Sequence, residues 1–300
     1  MKILVSGLVN IETAARVRSF PIDYYPIDYP FFGVALNVGG VGFNVSRALK
    51  TLGDELCFVS FTGNDLAANL IEETFKKDGI ETKNIQKKLK ETPQSVVLYD
   101  ESGKRQIYCD LKDIQDMRLD CTNVTDEIAS SDAIVCCNIN FNRSLLLESK
   151  KAGKLIATDV HVLSDINDEY NREFLENADI VFFSDEALPC PPEEFLTALK
   201  NRYNMKIIVL GQGAKGAALY ERNTDSITHF DCVACKNVVN TVGAGDALFS
   251  SFVHFYVKGF CAATALQYAQ TFASCKIEHN GASLGFLSED ELRAKIQLHP

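Results

Sequence analysis

At 300 residues the chain is long enough to bury a large core without disulfide or metal staples. Its 46% hydrophobic and 23% charged content exclude a disordered or fibrous chain. A formal charge of -10 and a pI near 5.1 exclude the basic footprint that nucleic acid or an anionic membrane surface requires, so any anionic substrate must meet a local positive or dipolar site.

In chain order, the opening MKILVSGLVNIE has one lysine, a short apolar run and no small-residue cleavage pattern. It reads as a strand over residues 3–5 and not as a signal peptide. From Val17 to Val38 apolar and polar residues alternate and prolines are too frequent for a helix. Helical spacing over 45–52 and 66–77 brackets an apolar strand at 56–61. From Ser95 to Asp110 two strand-like halves surround Asp100-Glu101-Ser102-Gly103, a four-residue hairpin turn. Strands at 133–137, 155–157, 180–183 and 207–210 then alternate with helices at 145–152 and 193–203, and a last helix covers 248–257. This is the pattern of an α/β fold: a mostly parallel central sheet with helices on both faces, a three-layer sandwich. The two interruptions, at about 12–38 and 94–112, are expected to form a small β-sheet lid, or a clasp that makes a homodimer, on a single domain over 1–300.

No apolar run approaches the ~18 residues of a membrane span. Ten cysteines without framework spacing, including adjacent Cys136 and Cys137, fit reduced thiols in the cytoplasm. Cys232-x-x-Cys235 has no second pair and no nearby His cluster, so it reads as strand or loop cysteines and not a zinc site.

Three glycine clusters carry chemistry. Gly211-Gln212-Gly213-Ala214-Lys215-Gly216 satisfies G-x-G-x-x-G, but a nicotinamide oxidoreductase would need a helix after it. The following AALYERNTDSITHF alternates like a strand and turns at Asn223-Thr224-Asp225. Gly39-Gly40-Val41-Gly42-Phe43-Asn44 opens a helix that stops at Gly53. It is either a flexible helix start or a backbone surface against a small ligand, with Asn44 offering donors and acceptors to hydroxyls. Gly243-Ala244-Gly245-Asp246 places small residues at a helix start, where unpaired N–H groups and the helix dipole make an anion hole. Asp246 caps that helix or accepts a proton from a hydroxyl beside a bound phosphate; anion hole plus base is close to a minimum kit for phosphoryl transfer. There is no G-x-x-x-x-G-K-[ST].

These residues resemble the ribokinase-like carbohydrate kinases, the PfkB family. Gly39-Gly40 with Asn44 is similar to its first signature, NTVGAGDALFSSFV to its D-T-x-G-A-G-D signature, and Gly213 to Gly216 to its G-x-x-G turn near ATP. The resemblance covers essentially the whole chain. It implies a ribokinase-like, Rossmann-like sandwich that phosphorylates a hydroxymethyl group of a sugar or ribosyl compound. Asp246 would be the base, and the amides of Gly243, Ala244 and Gly245 would hold the transferring group. Asn10, Glu12, Gly39, Gly40 and Asn44 would contact the sugar, and Gly213, Gly216, Asn240 and Thr241 would lie on the nucleotide side. Asn138 and Asn140, after a sheet strand, face the substrate or form a turn.

The implied cofactors are ATP and Mg2+. Asn240 stands where the signature has an acid associated with a monovalent-cation site, so a potassium requirement stays open. FFSDEAL at 182–188 replaces an N-x-x-E motif; Ser184 and Ala187 fall on its key positions, leaving Asp185 and Glu186 as substitute metal ligands. The G-G-V-G-x-N form with Asn10 is also similar to pseudouridine and other nucleoside kinases, where ribokinases more often carry a lysine at the position of Val41. A catalytically silent sugar-binding protein on the same fold is the alternative from a different class.

Overall fold

Runs of Ile, Val and Phe flanked by turn residues make the strands, and the faces they bury decide where the helices go. The computed structural model describes residues 1–298. Its first half contains β1 (Lys2–Ser6), β2 (Asn10–Arg16), β3 (Val34–Gly39), α1 (Val41–Thr51), β4 (Glu55–Thr62), α2 (Leu66–Lys77) and β5 (Asn84–Lys87). β6 (Gln94–Tyr99), β7 (Arg105–Asp110), α3 (Thr125–Ser130), β8 (Ala133–Cys136), α4 (Arg143–Lys151) and β9 (Leu155–Val162) follow. Then come α5 (Arg172–Asn177), β10 (Ile180–Ser184), α6 (Pro192–Arg202), β11 (Ile207–Gly211), β12 (Ala217–Glu221) and β13 (Ser226–Phe230). Three helices close the chain: α7 (Ala244–Val257), α8 (Ala262–Lys276) and α9 (Glu289–Leu298).

Nine strands form one sheet in the order β13-β12-β11-β10-β9-β8-β1-β4-β5. Pairing is parallel from β5 to β11 and antiparallel only at β11-β12 and β12-β13. Alternation along each strand divides the core. Ile3, Val5, Phe58, Phe182 and Val209 pack with α1, α2, α7 and α8 on one face. Leu4, Val59, Phe183 and Leu210 pack with α4, α5 and α6 on the other. Phe182 meets both Phe249 and Phe252 of α7 edge-on at 5.1 Å between ring centroids, which fixes the helix against the sheet.

The two interruptions form a separate four-stranded sheet, β3-β2-β6-β7. Its two halves join through parallel β2-β6 pairing, Ile11 opposite Gln94 through Arg16 opposite Tyr99. The first interruption is strand only at its ends, because prolines at 21, 26 and 30 interrupt the residues between β2 and β3. Val34, Leu36, Val96, Ile107 and Tyr108 of this sheet are exposed. All ten cysteines are free, and no helix among the described residues is long and apolar enough to cross a membrane.

The sheet order reverses at β1: the chain runs from β1 out to β4 and β5, then returns to its other side with β8. A crevice opens at the carboxyl ends of strands at such a switch point, where open α/β sheets bind ligands. Gly40 caps α1 beside it with φ +93°, and a Cβ there would stand 2.6 Å from the Leu8 carbonyl oxygen. Gly40→Ala is therefore expected to destabilise the protein by about 1–3 kcal/mol, read as a lower urea midpoint at unchanged slope.

Candidate active site

Helices α1 and α7 present their N-termini to this crevice and meet through side chains. Asn44, one turn into α1 and 5% exposed, donates from Nδ2 to Oδ2 of Asp246 at 2.7 Å. Its own Oδ1 is buried without a partner. Asn10, at the start of β2 and 3% exposed, repeats the pattern: Nδ2 donates to Ser95 Oγ at 3.1 Å and Oδ1 has no donor. A buried acceptor left unpaired costs about 1–3 kcal/mol, so each would gain from a donor brought to it.

Gly39 leaves the room these side chains occupy, since a Cβ there would stand 3.2 Å from Asn10 Oδ1 and 3.4 Å from Glu12 Oε2. The Glu12 carboxyl is raised above its ordinary pKa by burial and then by the nearby Asp246 charge. Asn10, Glu12, Gly39, Gly40, Asn44 and Asp246 thus form one cluster. Beside it, Glu12, Gly39, Phe43 and Arg47 line a cavity of about 190 Å³ that residues 281–284 help to close. A larger surface groove along α2 lies apart from this chemistry.

The anion side is built on the entry to α7. Gly243 caps the helix in the left-handed region, φ +79°, and a Cβ there would collide with the Ala282 carbonyl. Ala244 donates its amide to the Thr241 carbonyl at 3.1 Å. Of the three amides expected in the anion hole, those of Gly243 and Gly245 are therefore open, and the Asp246 amide joins them. Asp246 keeps an edge open to the crevice, yet protein surrounds it closely enough that desolvation pushes its pKa up to about 6. The Asn44 hydrogen bond and His161 pull it down, while Asp159 pushes it further up.

The remaining expected residues separate. Asn140 is committed to structure: its Nδ2 donates to the Gln115 carbonyl at 3.2 Å and its Oδ1 accepts from Arg143 Nε at 3.1 Å. Both ends of this half-buried side chain thus bind its own surroundings. Asn138 donates to Asn171 Oδ1 at 3.1 Å, at the end of β8. Asn240 ties two loops together, accepting from the Val242 amide at 2.8 Å and donating to Asn280 Oδ1 at 2.9 Å.

Gly213 and Gly216 form a tight turn between β11 and β12, with Gln212 N donating to the Gly216 carbonyl at 2.8 Å. A strand and not a helix follows, which removes the nicotinamide reading, while nothing lies within 4 Å of a Cβ placed on Gly213. Asp185 and Glu186 occupy a turn at the end of β10, Glu186 exposed. Among the described residues no group of three or more His, Cys, Asp or Glu side chains forms a metal centre.

Four further residues face this site. Asp159, 8% exposed near the end of β9, has Oδ2 3.9 Å from where a Cβ on Gly245 would stand, and burial raises its pKa. His161, at φ +62°, donates its amide to Asp159 Oδ1 at 2.8 Å. Arg105 reaches from β7 of the small sheet to Thr241 Oγ1 at 3.2 Å. Lys276, fully buried at the end of α8, donates to the carbonyls of Asn240, at 3.2 Å, and Val242. An acid and a histidine at a strand's carboxyl end, in TDVHV, were the available signal for the first pair. Nothing local marks Arg105 or Lys276.

The chain matches the family model described as pfkB family carbohydrate kinase over residues 1–289. It is 23% identical over 268 residues to the acarbose 7(IV)-phosphotransferase of Actinoplanes sp., covering 89% of this chain and 88% of that protein. Identity is also 23%, over 248 residues, with the fructosamine kinase FrlD of Bacillus subtilis, covering 83% of each. Among solved structures, a microbiome-derived acarbose kinase superposes with a TM-score of 0.88 at 22% identity, covering 98% of this chain and 97% of that one. Ribokinase from Giardia lamblia does so at 0.85 and 16%, covering 100% and 99%. With a family match from the first residue to the start of the last helix, the chain belongs to the pfkB family of carbohydrate kinases.

Proposed function

We propose that the chain transfers the γ-phosphoryl group of ATP to a hydroxymethyl group of a sugar or ribosyl compound, with Asp246 as the base. One observation carries this reading: two helix N-termini converge on a single carboxylate, linked by the 2.7 Å bond from Asn44, beside the amides of Gly243, Gly245 and Asp246, which no main-chain acceptor uses. The acceptor's hydroxyls would donate to the orphan oxygens of Asn10 and Asn44, with Glu12 beside them. A hydroxymethyl oxygen would then lie within reach of Asp246. Asp246 takes its proton as the oxygen bonds to the γ-phosphorus; the bond to the β,γ-bridging oxygen breaks and ADP leaves. Charge on the transferring group meets the N–H groups of Gly243 and Gly245 at the positive end of α7, with Arg105 close by.

Mg2+ fits this donor set. Asp159 and Asp246 are two carboxylates, each raised by desolvation, beside one crevice, which a divalent cation would relieve. It would be held by the nucleotide phosphates and Asp159, with Asp185 and Glu186 in the turn packed beside β9. Bound there, it neutralises phosphate charge. Gly213 offers an open backbone edge to the nucleotide, while Gly216 packs against the Phe230 carbonyl.

Asp246→Asn is expected to lower kcat by about 10²–10⁴-fold while ATP binding persists. Because the folded-state pKa of Asp246 lies above the unfolded value, its ionised form costs stability at neutral pH. The same variant should thus melt at a higher temperature at pH 7, with the gain disappearing below the ordinary carboxylate range. Unchanged turnover would remove Asp246 from its role.

A base must be ionised to act, so kcat/KM should fall about tenfold per pH unit as pH drops below about 6. Asn44→Ala removes a donor to the charged form and should move that limb to higher pH, measured in the same rate profiles. An ADP-release screen over pentoses, hexoses and nucleosides identifies the acceptor. Turnover with nucleosides alone would establish nucleoside kinase as the activity, and none with any acceptor would favour a silent sugar-binding protein.

A further inference from the structure

Lysine is almost never fully buried unless its charge is met, and Lys276 is 0% exposed. Its ammonium is met by main chain: the carbonyls of Asn240, at 3.2 Å, and of Val242, both in the loop that leads into the anion hole. The same loop is tied to the end of α8 from the other direction, since the amides of Val239 and Asn240 donate to the Ile277 carbonyl at 2.8 and 3.1 Å.

The geometry of the peptide unit gives this contact a consequence. In a trans peptide the C=O and the following N–H point in opposite directions. Fixing the Val242 carbonyl on Lys276 therefore turns the Gly243 N–H to the opposite side of the loop, toward the crevice. A regular helix would give the Val242 carbonyl to the Asp246 N–H; with the lysine holding it, that amide is released as well. Asn240, neutral where the family signature carries an acid, fits a loop that already contains its own cation.

We propose that Lys276 is a positioning residue for phosphoryl transfer, a tethered cation that holds the Asn240 and Val242 carbonyls behind the loop, aims the Gly243 amide at the transferring group and replaces a free monovalent cation. Its effect on turnover rests on the kinase reading; its effect on anion binding does not.

Charge on Lys276 is required, and burial lowers its pKa to about 8. Asp246 from α7 opposes that shift and Arg105 from β7 adds to it. A raised or lowered limb of Asp246 lies near 6, so loss of rate as pH rises through about 8 is assigned to the lysine.

The test compares wild type with Lys276→Met, Lys276→Ala and Lys276→Arg. It reads affinity for Mg2+ and the non-hydrolysable ATP analogue AMP-PNP by calorimetry, ADP release, and folding by circular dichroism. Lys276→Met should lower kcat by about 10²-fold, the scale of one lost anion-hole donor, with little change in acceptor KM. Ammonium or potassium chloride should restore part of the rate of Lys276→Ala, where choline chloride at equal ionic strength does not. Lys276→Arg should recover most of the rate lost in Lys276→Met and lose the fall above pH 8. Wild type should be indifferent to potassium.

A wild type that needs potassium overturns the proposal, whether or not the variants fold. So does a folded Lys276→Ala with wild-type rate, or one that neither ammonium nor potassium improves. If wild type phosphorylates no acceptor, the kinase reading fails while AMP-PNP affinity still decides here: equal affinity in wild type and Lys276→Ala overturns it, and a loss restored by ammonium supports it.

Discussion

Two helices that start at the same crevice impose the order seen elsewhere in this molecule. α1 and α7 each begin at a glycine with positive φ, because the chain must bend sharply to aim first-turn amides past the sheet edge. Opposed N-termini would repel through their dipoles if nothing negative lay between them. Asp246, bonded by Asn44, is that negative group. Two influences act on it in opposite senses: donors and helix ends favour its charge, while desolvation disfavours it, and desolvation is the larger. A carboxylate balanced in this way is basic enough to take a proton and still ionised at neutral pH.

Much of this was legible in the amino-acid sequence. Parallel strands buried on both faces announce themselves as Ile and Val runs, and the alternation after Gly216 distinguished a hairpin from a dinucleotide-binding turn. Where the pattern failed, burial or shortness explains it. α8 escaped notice because ten of its fifteen residues are buried, so it has no polar face to create a period. β5, NIQK, is an edge strand with a polar composition. β9 was read as ending at 157 because the apolar run stops there; it continues to Val162 and carries Asp159 and His161 into the site.

The site itself divides along a similar line. Asn10, Asn44, Gly243 and Asp246 lie in local motifs, whose spacing a linear reading captures. Asn140 was ambiguous because a side-chain amide after a strand serves a loop as readily as a ligand, and only tertiary structure shows its partners Gln115 and Arg143. Arg105 and Lys276 lie 136 and 34 residues from the loop atoms they bond, at Thr241 and Val242, so only tertiary structure brings them in. The strongly acidic composition had required a local positive site for any anionic substrate. At the head of α7 the chain offers main-chain amides and a helix end, with Arg105 and Lys276 near them.

The small sheet has a mechanical property that its connectivity dictates. β2 emerges directly from β1 and carries Asn10 and Glu12, while β7 belongs to an insertion some eighty residues later and carries Arg105; parallel pairing of β2 with β6 fuses them into one plate. Any rotation of that plate moves Asn10, Glu12 and Arg105 in step, so the two ends of the crevice they line are mechanically one.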